Sequence, residues 1–260
     1  MANQDEIQTI VNESGNSFHC RVANYLKERE WHILVSPYYM DNATSKPREI
    51  DLIAEKSWIL KGDPFSGRKY GAVIVKLFIE CKYIPQANVF WFSHKDIASA
   101  REWVVTNTPL RKDNMFTERH HYLATNPKVA KLFASKNLPN TENEPIYRGL
   151  NQSLNAMVYL RRRPPINREF REQEIRVLTT IEVPVIICNS FADFHAVDME
   201  QPGEPRPIDG NFQLEVNYAY LDSQKNPRME YFLIDIVDFN KVDEFLAALA
   251  ADKDAIVQML

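Results

Sequence analysis

The chain has 260 residues, of which 45% are hydrophobic and 11% aromatic, so it is long enough to bury a substantial core. Its formal net charge of −4 argues against indiscriminate coating of nucleic acid but allows a local basic groove. No stretch approaches about 18 consecutive apolar residues and the first residues are acidic, so we expect neither a membrane span nor a signal peptide. The three cysteines lack metal-ligand spacing, so we expect free thiols in a reducing, cytoplasmic location.

The N-terminal part of the chain reads as a helix followed by a strand. Phe18, Val22 and Leu26 recur at helical spacing within positions 15 to 31. The apolar run His32–Val35 follows and reads as an extended segment. The pattern predicts a helix that leads directly into the first strand.

Two apolar runs separated by a turn-rich segment predict a β-hairpin. The first run begins at Asp51, and the second, Ala72–Ile79, ends at Glu80. The segment 61–71 between them is rich in glycine, proline and other turn residues. Since the midpoint between positions 51 and 80 falls inside this segment, the hairpin places Asp51 opposite Glu80, with Cβ atoms about 4.5–5.5 Å apart.

Glu80, Cys81 and Lys82 close the second strand of this hairpin. Side chains alternate along a strand, so Glu80 and Lys82 share one face while Cys81 points into a packed layer on the other. Carboxylates as close as those of Asp51 and Glu80 repel each other unless a cation lies between them. The group is typical of a metal-dependent nuclease centre. The alternative is a surface Glu and Lys on an edge strand, beside an Asp that merely begins a strand.

These elements resemble the PD-(D/E)XK nuclease superfamily, in particular the core of Mrr-like restriction endonucleases and archaeal Holliday junction resolvases. The resemblance covers residues 13 to 84 and extends to the rest only in outline. It implies an α/β fold with a restriction endonuclease-like mixed central sheet flanked by helices. We expect a single domain over 1–260, with an insertion or specificity region at 86–148 after the catalytic hairpin.

The resemblance also implies roles for individual residues. Asp51 and Glu80 match the two acids of the motif and Lys82 its lysine, while the backbone carbonyl of Cys81 is a further metal ligand. The family hydrolyses phosphodiester bonds with Mg²⁺, for which we expect Mn²⁺ to substitute. Mg²⁺ prefers oxygen ligands, and a bound ion polarises the phosphoryl oxygen and activates water. Lys82 is expected to contact that water or the charge that grows on the phosphate.

The first helix departs from the family pattern. Many relatives carry a Glu where this chain has His19, and Glu13 lies six residues earlier, on a different helix face. Either Glu13 acts from a helix start broken near Gly15, which we prefer, or His19 acts as a neutral ligand or a phosphate contact. An ordinary half-buried histidine explains His19 equally well.

A helix after the insertion offers a further catalytic candidate. Leu150 and Leu154 have core spacing within positions 149–160, and Gln152 lies on a different face. Some relatives use a glutamine from this helix to orient substrate or water, which makes Gln152 the candidate and Asn155 its fallback. A solvated surface glutamine is the alternative.

Arg161, Arg162 and Arg163 follow this helix as the densest cationic group of the chain. We expect them to contact the phosphates of nucleic acid. Cations at this place also complement the negative end of the helix dipole, which is the alternative. If the cluster only caps the helix, we expect the cations that contact nucleic acid to be found among other residues: Arg111, Lys112, Arg119, Lys128 and Lys131.

Aromatic residues and adjacent histidines stand out within the insertion. Phe90, Trp91 and Phe92 are candidates for stacking on unpaired bases, although core or partner-surface aromatics are the favoured interpretation. His120 and His121 do not read as a zinc site, because adjacent side chains are expected to point apart and no Cys-x-x-Cys accompanies them.

The C-terminal third returns to regular structure. Strands are predicted over Val183–Asn189, Phe212–Leu221 and Met229–Val237, with a loop over Glu200–Gly210. The segment Asn240–Leu260 reads as an amphipathic helix that is capped by Asn240.

The sequence as a whole predicts a Mg²⁺-dependent DNA endonuclease in restriction or anti-phage defence. A homodimer or a larger defence complex is the expected assembly. Two alternatives remain. One is a catalytically weak scaffold of the same fold that binds nucleic acid or serves as an assembly subunit, and the other is a structure-specific repair or junction nuclease.

Overall fold

A large mixed β-sheet organises the chain in the computed structural model, which describes residues 3–13, 15–60, 71–84, 86–135, 144–161, 163–167, 175–201, 203–222 and 224–259. The strands of this sheet are β1 (His32–Val35), β4 (Leu52–Leu60), β5 (Gly71–Lys82), β6 (Asn88–His94), β7 (Lys128–Ser135), β8 (Arg176–Cys188), β9 (Phe194–Asp198), β10 (Arg206–Pro207), β11 (Phe212–Leu221) and β12 (Pro227–Asp238). The strands β2 (Tyr38–Met40) and β3 (Pro47–Glu49) form a separate hairpin.

Helices flank this sheet. Within the described residues they are α1 (Gln4–Glu13), α2 (Asn16–Lys27), α3 (Ile97–Asn107), α4 (His121–Ala124), α5 (Pro145–Leu160) and α6 (Val242–Val257), with 3-10 turns at Thr117–Arg119 and Phe239–Lys241. None of the described helices is long and apolar enough to span a bilayer. The fold is therefore a mixed α/β arrangement with one ten-stranded sheet.

The strand order is β1-β4-β5-β8-β12-β11-β7-β6-β9-β10. The strands β5, β8 and β12 run parallel to one another, and antiparallel pairs such as β4–β5 and β11–β12 extend the sheet. Nearly every residue of β5 is buried. A strand that is covered on both faces needs a continuous apolar sequence, and Gly71–Ile79 supplies one apart from Lys76.

The predicted hairpin register is confirmed. Leu52 pairs with Ile79 at one end of the β4–β5 ladder, and Leu60 pairs with Gly71 at the other. The same register continued by one residue sets Asp51 opposite Glu80. The turn-rich segment 61–70 lies outside the described residues.

The helix predicted near the N-terminus is confirmed as α2. Its buried face carries Phe18, Val22 and Leu26. Gly15 precedes it with φ 71°, a left-handed conformation that glycine adopts without strain, and this residue separates α1 from α2. The structure thus contains a helix break near Gly15, as the alternative with Glu13 requires.

The described residues 86–135 of the expected insertion extend the central sheet. Its strands β6 and β7 pair with each other, and β6 also runs parallel to β9. Phe90 is fully buried, with its ring centroid 4.9 Å from that of Phe212, which confirms the core interpretation for this residue. The segment is thus continuous with the rest of the sheet.

Two predictions for the C-terminal part are corrected. The final helix begins at Val242, because the Asp238 carboxylate accepts hydrogen bonds from the backbone and side-chain N–H groups of Asn240 and holds Phe239–Lys241 as a 3-10 turn. Asn240 is therefore not the cap of α6. The expected loop over 200–210 contains the short strand β10, which pairs with β9.

Candidate active site

Asp51, Glu80 and Lys82 lie together at the open end of the β4–β5 hairpin. The backbone N of Asp51 lies 3.4 Å from Glu80 Oε1, and the backbone N–H of Cys81 donates to Asp51 Oδ2 at 2.8 Å. Each carboxylate is thus held by the backbone of the opposite strand. This is also the carboxyl end of the parallel strands β5 and β8, an edge where α/β sheets commonly bind ligands.

The Lys82 ammonium is held between two oxygens. Its Nζ lies 2.6 Å from Glu80 Oε2 and 3.3 Å from Gln152 Oε1. The Gln152 Nε2 lies 3.5 Å from the carbonyl oxygen of Glu49. The structure therefore brings Gln152 to the predicted acid–lysine group and orients its amide from both ends.

Helix α5 approaches this group closely because it carries a glycine where it crosses β5. A Cβ atom on Gly149 would lie 2.9 Å from Lys82 Cε and 3.2 Å from Ile186 Cδ1. Ser153 Oγ also donates to the Phe78 carbonyl at 2.9 Å, which fixes the helix on the strand. Sequence reasoning did not single out Gly149, although a glycine inside a helix is a signal of close packing.

The site is desolvated. The Glu80 side chain has 0% of its surface exposed, Asp51 has 16% and Lys82 17%. Burial raises the pKa of Glu80 to about 8, while the neighbouring Lys82 ammonium opposes that shift. Cys81 lies in the hydrophobic core on the opposite face, as alternation predicts, and burial raises the pKa of its thiol.

These residues fit a Mg²⁺ ion. Two carboxylates and the backbone carbonyl of Cys81 are oxygen donors, which Mg²⁺ prefers. A dication beside Asp51 and Glu80 would also offset the cost of keeping the Glu80 carboxylate ionised without water.

His19 of α2 reaches the site. Its Nε2 lies 3.2 Å from Asp51 Oδ2, and its side chain is 26% exposed. Glu13 ends α1, and its side chain lies outside the described part of the structure. The geometry thus brings His19 to the acids, and the role expected for Glu13 stays a prediction. Asn155 instead contacts the β2–β3 hairpin, where its Oδ1 accepts from the backbone N–H of Asn42.

The arginines after α5 differ from one another. Arg161 is half-buried, pairs with both carboxylate oxygens of Glu230 at 2.9 and 3.0 Å, and donates to the Tyr220 hydroxyl at 2.5 Å. Arg163 is exposed, and its guanidinium lies 5.5 Å from the centre of the Tyr159 ring. Arg162 lies outside the described residues. The charge of Arg161 is therefore balanced within the protein, and Arg163 is better placed to contact a phosphate.

The expectation that His120 and His121 point apart is wrong. Their rings are stacked with centroids 5.0 Å apart, and both approach Asp252 of α6. The ligand atoms of this group all lie within 4.8 Å of one another, so it is a candidate metal cluster within the described chain. The sequence offers no signal for it, because Asp252 is 131 positions from His121.

The contacts of His121 nevertheless favour an ion network over a metal site. The Tyr122 backbone N–H donates to His120 Nδ1 at 3.2 Å, and His120 Nε2 lies 3.6 Å from Asp252 Oδ2 without a hydrogen-bond partner among the described residues. Both ring nitrogens of His121 face carboxylates, with Nε2 3.1 Å from Asp235. Burial lowers the pKa of His121, but Asp252 and Asp235 outweigh it and raise the pKa to about 10.

Comparisons with protein-family models, curated proteins and solved structures found no match to this chain. The fold and the site define a mixed α/β protein with a carboxylate–lysine–glutamine group at the carboxyl end of its central parallel strands. The chemistry of that group is the basis for a function.

Proposed function

We propose that this chain is a Mg²⁺-dependent endonuclease that hydrolyses phosphodiester bonds of DNA and has a restriction endonuclease-like fold of the PD-(D/E)XK type. The observation that carries the proposal is the convergence of Asp51, Glu80, Lys82 and Gln152 at the end of one hairpin. A binding role alone does not require two carboxylates and a lysine to be brought together in a largely dehydrated place.

Asp51, Glu80 and the carbonyl of Cys81 are the residues that would hold the ion. Such an ion, when bound, polarises a phosphoryl oxygen and lowers the pKa of the attacking water. The protein supplies a dry, fixed arrangement of donors: Glu80 is fully buried, and the Cys81 N–H fixes the orientation of Asp51. Fixed charges in a place without bulk water act more strongly than exposed ones.

Lys82 acts on the substrate. Its ammonium is a compact positive charge, and the side chains of Glu80 and Gln152 aim it at the site. At that place it stabilises the negative charge that develops on the phosphate and hydrogen-bonds the attacking water. Gln152 is a positioning residue in this proposal, because its amide contacts Lys82 and the backbone of Glu49.

The family resemblance extends the proposal to biological context. It supports restriction or anti-phage defence as the setting and a homodimer or larger defence complex as the assembly. A negative net charge of −4 agrees with an enzyme that meets DNA only at a local groove.

A second candidate function is a nucleic-acid-binding or assembly subunit without catalysis. The observation that favours it is that both carboxylates have cationic or hydrogen-bonding partners within the chain. Lys82 Nζ contacts Glu80, and His19 Nε2 contacts Asp51. Such pairing stabilises the group without an ion.

Cleavage assays on supercoiled, linear, branched and single-stranded DNA with Mg²⁺, Mn²⁺ or EDTA test the proposal. We expect cleavage with either ion, none with EDTA, and a loss of at least about 10²-fold in Asp51→Asn, Glu80→Gln and Lys82→Ala. Calorimetry should show weaker metal binding in the two acid variants and near-normal binding in Lys82→Ala, because the ammonium is not a ligand.

The matched controls are Asp113→Asn and Glu204→Gln, which remove exposed carboxylates elsewhere and should cleave normally. Near-normal cleavage by Asp51→Asn or Glu80→Gln at saturating Mg²⁺ would place the chemistry elsewhere. Wild-type protein that binds DNA but cleaves none of the substrates with either ion supports the second candidate.

A further inference from the structure

A cavity of about 660 Å³ lies at the far end of α5 from the proposed active site. The β2–β3 hairpin, the C-terminal end of α5 and the turn between β11 and β12 form its walls. Its volume lies in the range of about 300–1,000 Å³ that is usual for small-ligand sites. The proposed catalytic group does not use it.

Helix α5 connects the cavity to the catalytic group. Gln152 contacts the proposed catalytic group, and Tyr159, seven residues later, lines the cavity. Seven residues of α-helix separate the two positions by about 10 Å along the helix axis. Between them Asn155 holds the β2–β3 hairpin against the helix through Asn42 and Asp41. A distance of about 10 Å equals the axial span of about three phosphates on one strand of duplex DNA.

The walls of the cavity combine exposed apolar surfaces with hydrogen-bonding groups. Tyr159 is 38% exposed and Met40 is 39% exposed, both facing this concave surface. Ser45 and Lys225 line the same surface and carry hydroxyl and ammonium groups. An exposed aromatic face beside hydrogen-bonding side chains is the combination that binds an unstacked nucleobase.

The charges around the cavity suit a base that is still attached to its phosphodiester. The Asp41 carboxylate accepts hydrogen bonds from the backbone of its own turn, and Asp222 does the same in the β11–β12 turn. The second oxygen of Asp41 lies 3.4 Å from Asn155 Nδ2, and that of Asp222 accepts from Arg228 Nε at 3.0 Å, so the oxygens of both carboxylates are occupied. Arg163 and Lys225 supply positive charge, and Lys225 Nζ spans the two turns by donating to Ser45 Oγ at 3.1 Å.

We propose that this cavity binds one unpaired nucleotide of the DNA substrate, two or three positions from the scissile phosphate. The inference rests on the proposed function, because it places the scissile phosphate at Lys82. A base in an intact duplex is paired and stacked, so it cannot enter a concave pocket without being extruded. The enzyme therefore prefers substrates that present an unpaired nucleotide at that distance.

Duplex oligonucleotides with a single unpaired 2-aminopurine, moved stepwise along one strand, test this inference without relying on cleavage. In EDTA, we expect the wild-type protein to change the fluorescence of the unpaired base and to bind that duplex more tightly than the fully paired one. Tyr159→Ala should lose the fluorescence response and weaken binding of the unpaired substrate about 5- to 150-fold. Tyr159→Phe retains the stacking face and should retain both properties.

Leu132→Ala, which alters an exposed apolar residue of β7, is the control and should behave as wild type. Equal affinity for paired and unpaired substrates, or a fluorescence response that survives Tyr159→Ala, overturns the inference. Cleavage with no preference for an unpaired nucleotide also overturns it while the proposed nuclease function stands. A Tyr159-dependent fluorescence response without any cleavage supports the nucleotide site and rejects the nuclease function.

Discussion

Glu80 is the most deeply buried charged group of the proposed site, and its surroundings show how single residues set the chemistry there. Burial disfavours its ionised form, while the Lys82 ammonium at 2.6 Å favours it. Removal of one partner from such a buried pair leaves an uncompensated charge. The Lys82 ammonium must therefore lie close to Glu80 to compensate the charge of the buried carboxylate.

Gly149→Ala tests this positioning. The added methyl group would meet Lys82 Cε at 2.9 Å and displace the ammonium from Glu80 and Gln152, so we expect the rate of cleavage to fall about 10- to 100-fold. Alanine is about 1 kcal/mol more favourable than glycine inside a helix, which offsets the contact with Ile186 and keeps the melting temperature near that of wild type. Cleavage kinetics and thermal denaturation measure the two effects separately.

Gly203→Ala is the matched control, since a Cβ at Gly203 meets nothing closer than a backbone oxygen at 3.9 Å. It should change neither the rate nor the stability. A normal rate in Gly149→Ala would mean that Lys82 does not need its present position.

At the scale of elements, α5 joins the proposed active site to the cavity. It brings Gln152 to the proposed catalytic group, Tyr159 to the cavity and Arg161 to an ion pair with Glu230. It begins at Pro145, with the Glu144 carboxylate accepting the backbone N–H of Tyr147, so both ends of the helix are tied to side-chain contacts.

The two described arginines at the end of α5 should respond differently to substitution. Arg161→Gln breaks the ion pair with Glu230, so it should lower the free energy of unfolding by about 1–3 kcal/mol and leave the salt dependence of DNA binding unchanged. Arg163→Gln should keep stability within about 0.5 kcal/mol and make the slope of log affinity against log salt shallower by about 0.9. Thermal denaturation and binding titrations at several salt concentrations measure both.

Each variant is the control for the other, because they remove the same charge two positions apart. If the slope is unchanged in both, the phosphate contacts lie on other cations. The remaining candidates are then Arg111, Lys112 and Arg119, because Lys128 pairs with Asp198 and Lys131 pairs with Glu215 within the protein.

At the scale of the whole molecule, a buried ion network joins α6 to the central sheet. Asp252 of α6 contacts both ring-stacked histidines, and Asp235 of β12 contacts His121 from the other side. His121 lies 114 positions from Asp235 and 131 from Asp252, so the network joins segments that are distant in the chain. Stability should therefore depend on the protonation of His121.

Asp252→Asn tests this dependence. The pKa of His121 is raised from 6.5 to about 10, so its stabilisation is fully present below pH 6.5 and is lost as the pH rises through about 10. We expect the variant to lose about 3–5 kcal/mol of unfolding free energy at pH 6, and this deficit should shrink steadily towards pH 10. Urea denaturation of both proteins across this pH range measures the difference.

Asp254→Asn removes an exposed carboxylate from the same helix and should cost little at any pH. A deficit of Asp252→Asn that stays constant from pH 6 to pH 10 would show that the carboxylate acts through packing alone. Zinc that stabilises the wild type strongly and Asp252→Asn weakly would instead identify the cluster as a metal site.

Local patterns in the sequence were sufficient to predict the β4–β5 hairpin and the place of its acids. Turn residues between two apolar runs set the register, and strict alternation along a strand separates Glu80 and Lys82 from Cys81. The strand Phe212–Leu221 has the predicted bounds for the same reason. These features depend on interactions between residues that are neighbours in the chain or opposite each other in one hairpin.

Contacts between distant segments depended on the tertiary structure. Gln152 lies 70 positions from Lys82 and reaches it only because Gly149 lets α5 pack closely on β5. Asp252, which α6 brings to the stacked rings, contacts both His120 and His121. No local pattern encodes such pairs, because the free energy that favours them comes from packing whole elements together, and the partner is defined only once those elements have met.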